Sequence, residues 1–123
     1  MAHVLVIDDN RAQLSMRREV LRGAGFSVIC ASTAETALEI VKNRDTCSDL
    51  QLIVTDHVLP GASGAEFVRE LRKLSSAIPV LVITGMDEAE RDYAGMDVVF
   101  IPKPCAPEEF IAKARRAIDK TAN

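Results

Sequence analysis

Short apolar runs alternate along this chain with segments of helical spacing. Five runs read as strands: His3–Ile7, Phe26–Cys30, Leu50–Thr55, Pro79–Ile83 and Asp97–Ile101. A helix is predicted from about Arg11 to Arg22, with Met16, Val20 and Ala24 four apart and Gly23 and Gly25 to end it. Ser32 and Glu35 have capping-box spacing ahead of Ala34, Ala37, Leu38 and Val41, the pattern of one buried helix face. Ser63 and Glu66 repeat that spacing ahead of Phe67, Leu71 and Leu74. Asp87 to Tyr93 reads as a short helix at most. The last helix opens on Pro107, Glu108 and Glu109 and should bury Phe110, Ile111, Ala114 and Ile118. Nearly continuous apolar strands alternating with helices imply an α/β fold with a parallel sheet covered on both faces. The pattern leaves the strand order open, although a doubly wound sheet of five strands commonly runs 2-1-3-4-5.

The 123 residues make one domain, taken here as 1–123, with 48% hydrophobic and 27% charged residues. A net charge of -3 argues against direct binding to nucleic acid or to an anionic membrane. No apolar run approaches the ~20 residues that cross a bilayer, and no secretory leader is evident. Cys30, Cys47 and Cys105 form an odd set with no C-x-x-C pair, which suits reduced thiols in a cytoplasm, the expected location.

The chemistry of such a sheet gathers beyond the carboxyl ends of its strands. The first strand delivers Asp8 and Asp9, the second Ala31 and Ser32, the third Asp56, the fourth Thr84 followed by Gly85, and the fifth Lys103 followed by Pro104. Taken singly, each has an ordinary explanation: a helix cap, a loop carboxylate, a strand end, a solvated lysine. Their arrival at one sheet end is what argues for a site. Converging carboxylates repel one another unless a hard cation sits among them, and Mg²⁺ takes oxygen ligands while keeping several waters. A lysine and a hydroxyl beside that ion suit a phosphoryl group, and a carboxylate can attack phosphorus to form an acyl phosphate. These residues describe a Mg²⁺-dependent aspartyl-phosphate site.

With its motifs in order, the chain resembles the response-regulator receiver family over essentially its whole length. The resemblance rests on Asp8-Asp9, on Asp56-His57-Val58-Leu59-Pro60 with Gly64, on Thr84-Gly85 and on Lys103-Pro104. It implies a flavodoxin-like (βα)5 fold with strand order 2-1-3-4-5. It implies that Asp56 accepts a phosphoryl group, that Asp9 holds Mg²⁺ directly and Asp8 mainly through water, and that the Val58 backbone carbonyl is a further metal ligand. Thr84 would bond the phosphoryl group, Lys103 would pair with it, and Lys103-Pro104 would be cis. Phe100 stands where the family has an aromatic switch residue that turns inward as Thr84 moves. The implied donor is a histidine kinase or histidine phosphotransfer protein, and the family allows a phosphorylation-dependent homodimer. Such a domain is a switch rather than an enzyme, with weak Mg²⁺-dependent self-dephosphorylation.

Several features depart from the pattern or add to it. The segment between Thr84 and Lys103 is short, so the fourth helix should be truncated or irregular. Val58 and Met86 are apolar where the family varies in water access, which favours a drier site. His57 follows Asp56 directly and reads as an exposed strand-end residue ahead of the alternative that it tunes the site or contacts a partner. Arg17, Arg18 and Arg22 read either as a solvated helix face or as part of a kinase-docking surface. A Mg²⁺-dependent phosphohydrolase is the first alternative; its acid/base carboxylate would fall two residues after Asp56, where Val58 stands. A receiver-like binding module is the second, yet the acidic pair, Asp56 and Lys103 are all present. A flavin-binding protein is disfavoured by the single Tyr and the absent Trp. Only Thr121, Ala122 and Asn123 follow the last helix, which leaves open a stand-alone regulator or a piece of a larger one.

Overall fold

A computed structural model describes residues 3–43, 49–59, 61–74, 77–85 and 87–122. Cys47, Pro60, Met86 and Asn123, all noted in the sequence, lie outside the described residues. The strands are β1 (His3–Ile7), β2 (Ser27–Ala31), β3 (Leu50–Asp56), β4 (Val80–Thr84) and β5 (Val99–Pro102). The α-helices are α1 (Arg11–Gly23), α2 (Ala34–Lys42), α3 (Gly64–Lys73) and α4 (Pro107–Ala122), and Asp87–Tyr93 forms a 3-10 helix between β4 and β5. All pairings are parallel and the order is β2-β1-β3-β4-β5. This is the doubly wound, flavodoxin-like order that the family resemblance implied and that the strand–helix alternation had left open.

The alternation of side chains along each strand divides the core in two. Leu5, Ile7, Ile53, Val80 and Val82 face α2, α3 and the 3-10 helix, packing on Ala37, Phe67, Leu71 and Tyr93. Val4, Val6, Leu52, Val54, Leu81, Ile83 and Ile101 face α1 and α4, packing on Leu21, Phe110 and Ala114. Each fully buried Leu, Ile, Val or Phe contributes about 1.5–3 kcal/mol. With both faces covered, the central strands read as unbroken apolar runs.

Helix starts follow local chemistry. The Asn10 side chain caps α1 by accepting the Gln13 N–H at 3.0 Å. Ser63 caps α3 by accepting the Glu66 N–H at 3.1 Å, as its spacing predicted. At α2 the cap is Thr33, which accepts from the Thr36 N–H at 3.1 Å; the predicted Ser32–Glu35 pair is displaced by one residue. Ser32 and Thr33 compete for the same role, and only the chain's exit from β2 chooses between them.

Other predicted positions shift as well. Met16 was expected on the buried face of α1, yet it is 56% exposed, and the helix turns Arg17 and Leu21 inward. Leu74 is the C-cap of α3 and is exposed. Ile111 is only partly buried on α4, and Ala117 takes the inward place beside Phe110 and Ala114. β5 starts at Val99 rather than Asp97, because Asp97 has φ 52, a left-handed conformation that breaks a strand. The segment after β4 is irregular, as its shortness predicted. Arg72 on α3 braces it, donating to the carbonyls of Met96 (3.1 Å) and Asp97 (3.1 Å), and ties it to the chain entering β4 by donating to the Ile78 carbonyl (2.9 Å).

Candidate functional site at the carboxyl end of the sheet

β1 and β3 are neighbours, so the residues that follow them meet. Carboxylate oxygens of Asp8, Asp9 and Asp56 all lie within 4.8 Å of one another. Asp8 and Asp56 are buried, and Asp9 is exposed. Lys103 arrives from the end of β5 and places Nζ 3.2 Å from each oxygen of the Asp56 carboxylate. Its backbone N–H donates to the Thr84 carbonyl at 3.0 Å, and Lys103-Pro104 is cis. Thr84 is buried at the end of β4, one residue past Ile83, the register partner of Asp56. The ends of β1, β3, β4 and β5 thus converge.

Asp8 is held by the chain itself. One carboxylate oxygen accepts the Asn10 N–H at 2.9 Å, and the other pairs with an Nη of Arg17. Burial pushes the Asp8 carboxyl above its ordinary range, while the Asn10 N–H and the Arg17 charge pull it back and the neighbouring Asp56 and Asp9 raise it further. Arg17 itself is buried, with its other Nη donating to the Gln13 side-chain oxygen Oε1 at 3.3 Å. The basic patch expected on α1 therefore loses its first member: Arg18 and Arg22 face solvent, whereas Arg17 turns into the acidic cluster. Helical spacing places an arginine on a face but cannot say that a buried carboxylate waits there.

His57 also departs from expectation. It is buried, with Nδ1 2.8 Å from the Tyr93 hydroxyl and Nε2 3.6 Å from an Asp92 oxygen. The extra strand residue of β3 carries it under the 3-10 helix, which folds back over the sheet. Tyr93 packs edge-on against Phe100, with ring centroids 5.3 Å apart and planes at 78°. Burial, then the charges of Asp92 and Asp56, hold the Tyr93 phenol well above its usual range. The sequence reading missed Tyr93; its only signal was a lone aromatic in a charged segment.

Gly64 is required by close approach. A Cβ there would stand 2.5 Å from the Tyr93 hydroxyl and 2.7 Å from the Asp56 carbonyl oxygen. Val58 is 63% exposed, so its apolar side chain lies open to solvent where a drier site was anticipated. Cys30 and Cys105 are free and partly buried, and burial pushes both thiols up, away from the reactive thiolate.

No helix among the described residues is long and apolar enough to cross a membrane. A family model described as the response regulator receiver domain matches residues 4–115. The response regulator MprA of Mycobacterium leprae is 36% identical over 121 residues, covering 96% of this chain and 51% of the relative. The chain thus spans about half the length of that relative. Among solved structures, a response regulator receiver domain protein from Clostridium thermocellum has a TM-score of 0.88 at 25% identity, covering 99% of this chain and 98% of its own. The chemotaxis response regulator CheY4 of Vibrio cholerae has a TM-score of 0.83 at 28% identity, covering 95% and 98%. The doubly wound five-stranded sheet is shared with these solved structures, and with the family match over residues 4–115 the chain belongs to the response regulator receiver domain family of two-component signalling.

Proposed function

We propose that Asp56 is the phosphoacceptor of this domain, and that its donor is a phosphohistidine on a histidine kinase or a histidine phosphotransfer protein. The observation that carries this reading is the setting of the Asp56 carboxylate, which accepts from Lys103 Nζ at 3.2 Å and has carboxylate oxygens of Asp8 and Asp9 within 4.8 Å.

The donor set suits Mg²⁺: hard oxygen atoms, clustered, with more negative charge than Lys103 and Arg17 neutralise. Asp9 and Asp56 would hold the ion directly, with the Val58 backbone carbonyl, and Asp8 through water, in keeping with its engagement by Arg17 and Asn10. When bound, Mg²⁺ neutralises charge that develops on phosphoryl oxygens.

The chain's own residues do the rest. An Asp56 oxygen attacks phosphorus in line; the P–N bond to the donor imidazole breaks as the P–O bond forms, and the imidazole leaves with the electron pair. Lys103 is placed to neutralise the phosphoryl oxygens, and the Thr84 hydroxyl to donate to one of them. Thr84 and Phe100 share the sheet face toward the 3-10 helix by strand alternation, so movement of Thr84 toward the phosphoryl group frees space for Phe100 to turn inward. In-line attack by water then returns the free carboxylate, a slow self-dephosphorylation that resets the switch. The resulting change in the surface around the 3-10 helix, β5 and α4 would govern partner choice, including a phosphorylation-dependent homodimer.

Incubation with Mg²⁺ and acetyl phosphate should give a phosphoryl adduct that is lost on warming in alkali. Asp56→Asn should abolish it, and Lys103→Ala should cut its yield at least tenfold. An adduct that persists on Asp56→Asn would overturn the assignment.

A further inference from the structure

Arg17 occupies a place that a helix buried on one face gives to an apolar side chain. Leu21 lies one turn along the same inward face, whereas Arg18 and Arg22 on the same helix reach solvent. Its guanidinium is oriented at two points: one Nη pairs with Asp8, and the other donates to the Gln13 side-chain oxygen Oε1 at 3.3 Å. Asp8, fully buried, is thereby committed within the chain, because its second oxygen accepts the Asn10 N–H.

The charges around Asp56 follow from this. Three carboxylates bring three negative charges, and Lys103 brings one positive charge. Arg17 brings a second that cannot be removed by deprotonation, since guanidinium stays protonated. A divalent cation entering the cluster therefore meets a net charge of about -1 instead of about -2, and it meets a buried, poorly screened positive charge on one of its neighbouring carboxylates.

We infer that Arg17 is a built-in counter-cation of the acidic cluster, a positioning residue that holds Asp8 back from the metal and sets a weak affinity for divalent cations. The inference rests on the phosphoacceptor reading above, and it concerns this chain's own residue rather than the metal's geometry. The domain would keep its acidic site folded without an ion and take one up chiefly when a phosphoryl group adds negative charge.

Calorimetric titration of the full chain with MgCl₂, without phosphodonor, tests it. Arg17→Gln keeps a hydrogen-bond donor toward Asp8 and removes the charge; it should bind Mg²⁺ roughly tenfold or more tightly than the wild type. Arg17→Lys keeps the charge and should stay within about threefold of the wild type, an outcome that a purely structural role for the side chain does not foresee. Because Arg17→Gln breaks a buried ion pair that also supports the fold, the wild type supplies a second readout: its Arg17 side-chain nitrogen resonances should move over the same Mg²⁺ range as the Asp9 and Asp56 amides. Unchanged or weaker Mg²⁺ binding by Arg17→Gln, or Arg17 resonances that stay still while Asp9 and Asp56 respond, overturns the inference alone. A wild type that neither binds Mg²⁺ nor forms an adduct with acetyl phosphate overturns the phosphoacceptor reading along with it.

Discussion

Tyr93 and His57 form a buried pair beside the phosphoacceptor, and their chemistry is open to direct measurement. His57 Nδ1 and the Tyr93 hydroxyl are 2.8 Å apart, and Nε2 lies 3.6 Å from an Asp92 oxygen. The Tyr93 phenol is held well above its ordinary value, first by burial and then by the charges of Asp92 and Asp56. The sign of its effect on stability follows. Below about pH 10, the ordinary tyrosine value, the phenol is protonated in both folded and unfolded chains, and its full contribution is present. Above that pH the unfolded chain loses the proton first, so stability falls as pH rises. Tyr93 is the single Tyr and there is no Trp, so tyrosinate absorbance reports this residue alone. That signal should appear together with the loss of far-ultraviolet circular dichroism. A phenol that titrates near pH 10 in a fully folded chain would refute the buried placement. His57 was read as an exposed strand end because nothing local distinguishes the two cases; the partner that buries it is 36 residues away.

At the level of elements, α3 and the 3-10 helix are locked together where they meet β3. Gly64 opens α3, donates its N–H to the His57 carbonyl at 2.7 Å, and leaves no room for a side chain between the Tyr93 hydroxyl and the Asp56 carbonyl. In an ordinary helix, Gly→Ala is stabilising by about 0.5–1 kcal/mol. Here Gly64→Ala should destabilise by about 1–3 kcal/mol, because backbone must shift to admit the methyl group. Urea denaturation checks the sign, and a stabilised variant would contradict the packing. Tyr93→Phe in the Gly64→Ala background should recover only part of the loss, since the Asp56 carbonyl contact remains. The helices themselves were legible from spacing and caps: α1 runs Arg11–Gly23 against a predicted Arg11 to Arg22, and α4 opens on Pro107 as predicted. Inward faces were less legible. Met16 and Arg17 are adjacent on α1, and hydrophobicity alone turns the wrong one inward. Arg17 wins because a buried carboxylate supplies a partner that compensates its desolvation.

For the whole molecule, the sheet order decides what the acidic cluster can do. β1 lies between β2 and β3, which brings Asp8 and Asp9 to Asp56, while β5 closes the other side with Lys103. Carboxylates this close destabilise the ion-free fold, so a ligand that binds only the folded state raises stability by mass action, by about 2.7 kcal/mol at a hundredfold excess over Kd. Added MgCl₂ should therefore raise the thermal midpoint by several degrees beyond NaCl of equal ionic strength, and Asp9→Asn should remove most of that excess. Equal shifts with the two salts would argue against a cation site. By itself, the sequence determined the alternating architecture, the residues at each strand end and the chemistry they allow, because strand and helix periods and turn residues are local properties. Only the tertiary structure decided that Arg17 enters the cluster and pairs with Asp8, that His57 is buried under Tyr93, and that Gly64 admits no side chain. Those outcomes depend on partners brought close by the parallel sheet and its crossovers, and no local pattern in the chain records such proximity.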